Sequence, residues 1–236
     1  MKRLKFFLWI PFIFSACTLG PTSDTNPSLT TDSAVTVFTS PYYAFIPETN
    51  RSTTGFVFYP GANVAPAAYA PMASKLAHQG YTTIIVPMPY NYAIVNSDAA
   101  NLIIAGIPGI SNWVISGHSL GGAMACSYVY DNPGKMKGLV LLAGYPGTSG
   151  SLASSSIKVL SLHASLDGLA TPTKISNYMS LLPSSTTYVL IEGGNHAQFG
   201  YYGDQSGDNT ATISREDQQT AVVTNILNFL SKLTNP

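Results

Sequence analysis

The chain has 236 residues, 45% of them hydrophobic, enough for one domain with a sizeable core. Only 9% are charged, against roughly 25% in an average domain, and 11 Lys+Arg balance 11 Asp+Glu. A neutral chain with no basic concentration excludes a nucleic-acid partner, which needs a basic face to displace counterions.

At the N-terminus Lys2, Arg3 and Lys5 precede an apolar run from Phe6 to Phe14. That run would cover about 14 Å as a helix, too short for a bilayer core of roughly 30 Å. Pro11 interrupts it, so residues 1–16 read as a signal peptide rather than a span or a core helix. Phe14-Ser15-Ala16-Cys17 resembles a bacterial lipobox, with Phe14 standing where Leu is usual. The resemblance implies cleavage before Cys17, acylation of its thiol and a membrane partner through that lipid anchor, in a bacterial cell envelope. Plain secretion is the alternative. The remaining cysteine, Cys126, reads as a small buried hydrophobe, and an acylated Cys17 has no thiol left to pair with it. Residues 17–33 are polar, with prolines, and read as a flexible tether. The globular texture begins at Ala34, and residues 34–236 form the expected folded domain.

Within it, β-rich runs alternate with helical ones. Gly55–Tyr59 is a strand stopped by Pro60-Gly61, and Ala67–Gln79 a helix closed by Gly80. Tyr81–Val86 and Asn112–Ser116 are strands, and Leu120–Tyr130 is a helix. Gly138–Ala143, Ile157–Leu162 and Thr186–Ile191 are further strands, and Asp217–Leu233 closes the chain as a helix. Continuous apolar strands predict burial on both faces, and their alternation with helices predicts an α/β fold with a mostly parallel sheet. Sites in such sheets form at the carboxyl ends of the strands.

Gly117-His118-Ser119-Leu120-Gly121 stands where a predicted strand passes into a predicted helix. That is the context a G-x-S-x-G nucleophile elbow requires: a sharp turn exposes the serine hydroxyl, and the glycines make room for chains that pass closely. A nucleophilic serine needs a base, and the base an orienting acid. In this architecture the order is Ser, Asp or Glu, then His. After Ser119 the histidines are His163, inside a strand run, and His196, in a loop just past the last strand. Among the intervening acids, Asp131 ends the helix after the serine and Glu192 shares a strand end with His196. Asp167 follows a strand and precedes a helix. The reading is therefore Ser119, Asp167 and His196 as catalytic residues. The backbone N–H of Leu120 is one expected oxyanion donor, and the loop after Gly55–Tyr59 supplies the other. Ala62 matches the donor position there, with Asn63 as the fallback, and Pro60 has no N–H.

These segments, FYPGA, GHSLGGAMA, GLVLLAGYP, SLHASLDGL and GGNHAQFGYYGDQSGD, resemble the α/β-hydrolase superfamily from roughly residue 53 to 233. They are similar to small bacterial members related to carboxylesterases and dienelactone hydrolases. The dienelactone type has a cysteine nucleophile where this chain has Ser119. The resemblance implies an α/β-hydrolase fold and a small-molecule ester as substrate, and the short tract between the Gly138–Ala143 and Ile157–Leu162 runs leaves no room for a large lid domain. An amidase or peptidase of the same fold, or a non-catalytic binding protein on that scaffold, are the rival readings. No cofactor and no metal are expected: no Cys/His cluster has zinc spacing, and Asp204 with Asp208 lacks the dense spacing of a calcium loop. Asp204, Asp208 and Arg215 read either as a loop that shapes the pocket or as a polar surface loop capped by Arg215. His118 reads as structural or site-lining.

Overall fold

The protein is described by a computed structural model covering residues 18–234, so the expectations for the signal peptide and for Cys17 fall outside the described residues. The sheet has 8 strands: β1 (Val35–Phe38), β2 (Tyr43–Pro47), β3 (Thr54–Tyr59), β4 (Thr83–Ile85), β5 (Asn112–His118), β6 (Gly138–Leu142), β7 (Lys158–Ala164) and β8 (Thr187–Ile191). Their order is β1-β2-β4-β3-β5-β6-β7-β8. From β4 to β8 every pairing is parallel; β2 meets β1 and β4 antiparallel. This is the expected α/β-hydrolase sheet, with the strands from β3 onward close to where the apolar runs place them.

The continuous apolar runs have a simple cause. Successive side chains of a strand point to opposite faces. Phe56 and Phe58 of β3, Val114 of β5, and Val140 and Leu142 of β6 enter one core cluster. Val57 and Tyr59, Ile115, and Leu139 and Leu141 enter the other. The first face is covered by α1 (Ala70–His78) through Met72, Ala73 and Leu76, and by α5 (Arg215–Thr234) through Val222, Ile226 and Leu230. The second is covered by α2 (Ala100–Gly106) through Ile103 and by α3 (Leu120–Asp131) through Ala125, Cys126 and Val129. Cys126 is thus a core residue, and burial pushes its thiol pKa up.

Several elements differ from expectation. The β1–β2 hairpin and the short helix α2 carry no sequence signal, the helix expected after Asp167 is α4 (Pro172–Tyr178), and Pro66–Tyr69 forms a 3-10 turn ahead of α1. A seven-residue helix such as α2 spans too few turns to show helical periodicity. The larger correction concerns residues 18–33, which are not a flexible tether. Leu19 pairs with Val64, donating its N–H to Asn63 at 2.8 Å and accepting from Ala65 at 3.0 Å. Thr22 N–H reaches the Tyr201 carbonyl at 2.9 Å, and a 3-10 helix follows over Ser23–Leu29 with Thr25 fully buried. Composition misses this because backbone hydrogen bonds and a few apolar contacts, at Leu19 and Leu29, fasten the segment.

Candidate active site

The parallel strands end at one edge, and Ser119, Leu120, Asp167, His196 and the loop that carries Ala62 stand there. Ser119 follows β5 with φ 53° and ψ −120°, a strained conformation for a residue with a Cβ. Close packing enforces this turn. A Cβ on Gly117 would lie 2.3 Å from the Gly121 carbonyl carbon, and one on Gly121 would lie 2.2 Å from the Tyr59 carbonyl oxygen. The turn at Ser119 is therefore wedged against the loop that follows β3. Leu120 begins α3, so its N–H is among those a helix start leaves without an intrahelical partner.

Asp167 follows β7 and His196 follows β8, and both are buried. His196 Nδ1 lies 2.8 Å from Asp167 Oδ2. The other carboxylate oxygen, Oδ1, accepts the N–H groups of Leu169 at 2.8 Å and Ala170 at 2.6 Å. The acid is thus held on both sides. An Nδ1–H donated to Asp167 leaves Nε2 as the ring's basic nitrogen, and Nε2 is buried and carries no hydrogen bond. No bond joins it to Ser119 Oγ in this structure; such contacts commonly tighten when substrate arrives. His163, the other downstream histidine, lies within β7, and Asp167 bonds His196.

His118 proves more than a neighbour. Its ring sits 4.5 Å from that of His196, centroid to centroid. Its Nδ1 lies 2.9 Å from the Tyr69 hydroxyl, which accepts the Gly61 N–H at 3.1 Å. Burial, with His196 alongside, drives the His118 pKa well below its ordinary 6.5, so the ring packs against His196 as a neutral group. These bonds also sort the donors of the loop after β3. Gly61 N–H is committed to Tyr69 and Asn63 N–H to the Asn91 carbonyl at 2.8 Å, whereas Ala62 N–H carries no bond among the described residues.

Sequence reasoning left the role of Asp208 open, and the structure resolves it. Its Oδ1 accepts the Gly168 N–H at 3.0 Å and its Oδ2 the Ala197 N–H at 2.8 Å. One carboxylate thus ties the residue after Asp167 to the residue after His196. Arg215 does not pair with it; its guanidinium binds the carbonyls of Gly200 and Tyr202. Gln218 of α5 holds the histidine loop from behind, accepting Asn195 N–H at 3.0 Å and donating to the Asn195 carbonyl at 2.8 Å. No sequence signal marks these contacts, because their partners are backbone groups of distant loops.

A cavity of about 250 Å³ opens beside the serine, lined by Ser119, Leu120, Ala123, Ala143, Tyr145 and Leu169. Tyr145 is stacked on Tyr178 at 4.5 Å. The β6–β7 connection carries no helix, and no large lid lies over the cavity among the described residues.

The comparisons with known proteins agree with this architecture. A solved structure of similar shape is that of a predicted CIB-like hydrolase from Thermoplasma acidophilum, with a TM-score of 0.58 at 16% identity over 83% of this chain and 99% of that one. At that identity the likeness speaks to fold alone. No curated protein matches the chain. The sequence model of the alpha/beta hydrolase family matches residues 55–220, which hold the elbow, the buried acid and the histidine loop. The chain belongs to the alpha/beta hydrolase family.

Proposed function

We propose that the chain is an exported serine hydrolase that cleaves carboxylic esters through an acyl-enzyme on Ser119. The observation that carries this reading is the buried His196–Asp167 pair, with Nε2 unpartnered, at the same strand edge as a serine held at positive φ. His196 Nε2 takes the Ser119 proton as Oγ attacks the carbonyl. The N–H groups of Leu120 and Ala62 hold the oxyanion, and His196 passes the proton to the departing alkoxide. A water deprotonated by His196 then releases the acid and restores Ser119. Asp167 keeps the ring in the tautomer that leaves Nε2 basic.

The substrate reading follows from the cavity. At about 250 Å³ it lies below the roughly 300–1,000 Å³ of sites for drug-sized ligands, which favours a short acyl group. The kinship with carboxylesterases and dienelactone-type enzymes belongs to this same reading, as do the signal peptide at 1–16 and acylation of Cys17 in a bacterial envelope. Turnover of p-nitrophenyl esters from acetate to dodecanoate is expected to peak among the shortest chains. A maximum at dodecanoate would contradict the small acyl site. Cleavage of anilides in preference to esters would favour the amidase reading.

Asp208 acts here as a positioning residue. Asp208→Asn replaces one acceptor oxygen by an NH₂ that cannot take the Gly168 or Ala197 N–H. Misplacing catalytic groups by an ångström costs about 100-fold, so kcat is expected to fall roughly 10- to 100-fold with KM nearly unchanged. An unchanged kcat, or a rise in KM alone, would contradict the clamp.

A further inference from the structure

The loop between β4 and α2 is not used by the proposed chemistry. From Val86 to Ser97 the chain carries no charged residue. It leaves the carboxyl end of β4, so it stands at the same edge of the sheet as Ser119, Asp167 and His196. The Asn91 carbonyl fastens it to the N–H of Asn63, next to Ala62. Yet the loop turns apolar side chains outward: Tyr90 is 85% exposed, Ile94 62% and Val95 55%. Tyr90 and Asn91 adopt φ of 55° and 58°, a costly conformation for a tyrosine that carries no part of the core.

The start of the described chain lies on this loop. Thr18 Oγ1 accepts from Asn91 Nδ2 at 3.1 Å, and Leu19 N–H donates to Asn63 at 2.8 Å. Cys17 precedes Thr18 in the sequence, so the proposed anchor is one residue removed from the Thr18–Asn91 contact. Residues 19–29 are fastened to the domain, so no long tether follows Thr18. We infer that the Tyr90–Val95 loop is a membrane-docking surface that seats the catalytic edge of the domain on the bilayer carrying the anchor. This rests on the lipid-anchor reading of Cys17. Ile94 and Val95 suit the acyl boundary, and tyrosine, apolar in body and polar at its tip, suits the headgroup level. With no charge in the loop the attraction is apolar, so it is indifferent to ionic strength and to anionic lipid.

The test uses the full chain, expressed with its leader and reconstituted into phosphatidylcholine vesicles whose acyl chains are brominated to quench tryptophan. Ile94→Trp reports from the loop and Leu190→Trp from β8, at the end of the sheet away from β4. Trp113 is buried at 3% exposure and contributes equally to both. Ile94→Trp is expected to lose most of its added emission, equally at low and high salt, while Leu190→Trp keeps its own. Vesicle-bound, acylated protein with no quenching at either position, or equal quenching at both, would overturn the docking surface and leave the anchor standing. Protein not acylated at Cys17 that is still quenched at Ile94→Trp on adding vesicles would support the surface and remove the anchor. A change at Ile94→Trp that depends on protein concentration rather than on lipid would overturn the proposal in favour of a second copy. Ester turnover of both variants, measured in parallel, is independent: its absence would count against the proposed activity and not against docking.

Discussion

Ser119→Ala is expected to reduce kcat by roughly five to six orders of magnitude, because the proposed covalent route passes entirely through its Oγ. The same change is expected to leave the fold intact. Alanine inherits the strained φ of 53° and ψ of −120° without adding to it, and among the described residues no hydrogen bond depends on the hydroxyl. Its effect on stability therefore stays within about 1 kcal/mol. Ser119→Gly separates strain from chemistry. It is equally inactive, but glycine tolerates this conformation, so the variant is expected to be more stable than the parent by about 1–2 kcal/mol. Kinetics with a short p-nitrophenyl ester and thermal unfolding of all three proteins check this. An active Ser119→Ala would remove the nucleophile, and a destabilised Ser119→Gly would remove the strain.

Asp167→Asn is the second large effect, with an expected loss of roughly 10³- to 10⁴-fold in kcat. The two sides of the carboxylate face different partners. Leu169 and Ala170 present N–H donors to Oδ1, and His196 Nδ1 meets Oδ2. An asparagine must turn its oxygen toward the two N–H groups and its NH₂ toward the histidine. His196 Nδ1 then has to accept, which places the ring proton on Nε2 and leaves no base facing the serine. Stability distinguishes this tautomer effect from general damage. Asp167→Asn keeps the backbone bonds, whereas Asp167→Ala strands buried donors at a cost of about 1–3 kcal/mol each. Wild-type kcat in Asp167→Asn, or an unfolding midpoint as low as that of Asp167→Ala, would contradict this arrangement.

What the sequence could and could not reveal divides along a physical line. Strands such as GFVFY and GLVLL bury side chains on both faces, and that shows as unbroken apolar runs. The elbow is legible because its glycines answer a steric demand: Gly121 abuts the Tyr59 carbonyl, and no other residue fits. Asp167 and His196 are legible through order and strand ends alone. Asp208 and Gln218 are not, since they meet backbone atoms of loops remote in sequence, and nothing in their own neighbours announces it. The segment 18–33 misleads for the same reason. Its polar composition is that of a linker, while its order comes from backbone pairing with Asn63, Ala65 and Tyr201. His118 falls between: adjacency to Ser119 draws notice to it, but only the fold shows its ring against His196 and its Nδ1 at the Tyr69 hydroxyl.

The central claim is an activated serine at position 119, and covalent labelling tests it most directly. The folded protein is treated with a fluorophosphonate, which reacts when a serine Oγ displaces fluoride, and the adduct is mapped by mass spectrometry. A stoichiometric adduct on Ser119, absent from Ser119→Ala and strongly slowed in Asp167→Asn, is the predicted result. No adduct on folded protein, or equal labelling of Ser119→Ala, would contradict it and turn the site into a binding cleft on a hydrolase scaffold.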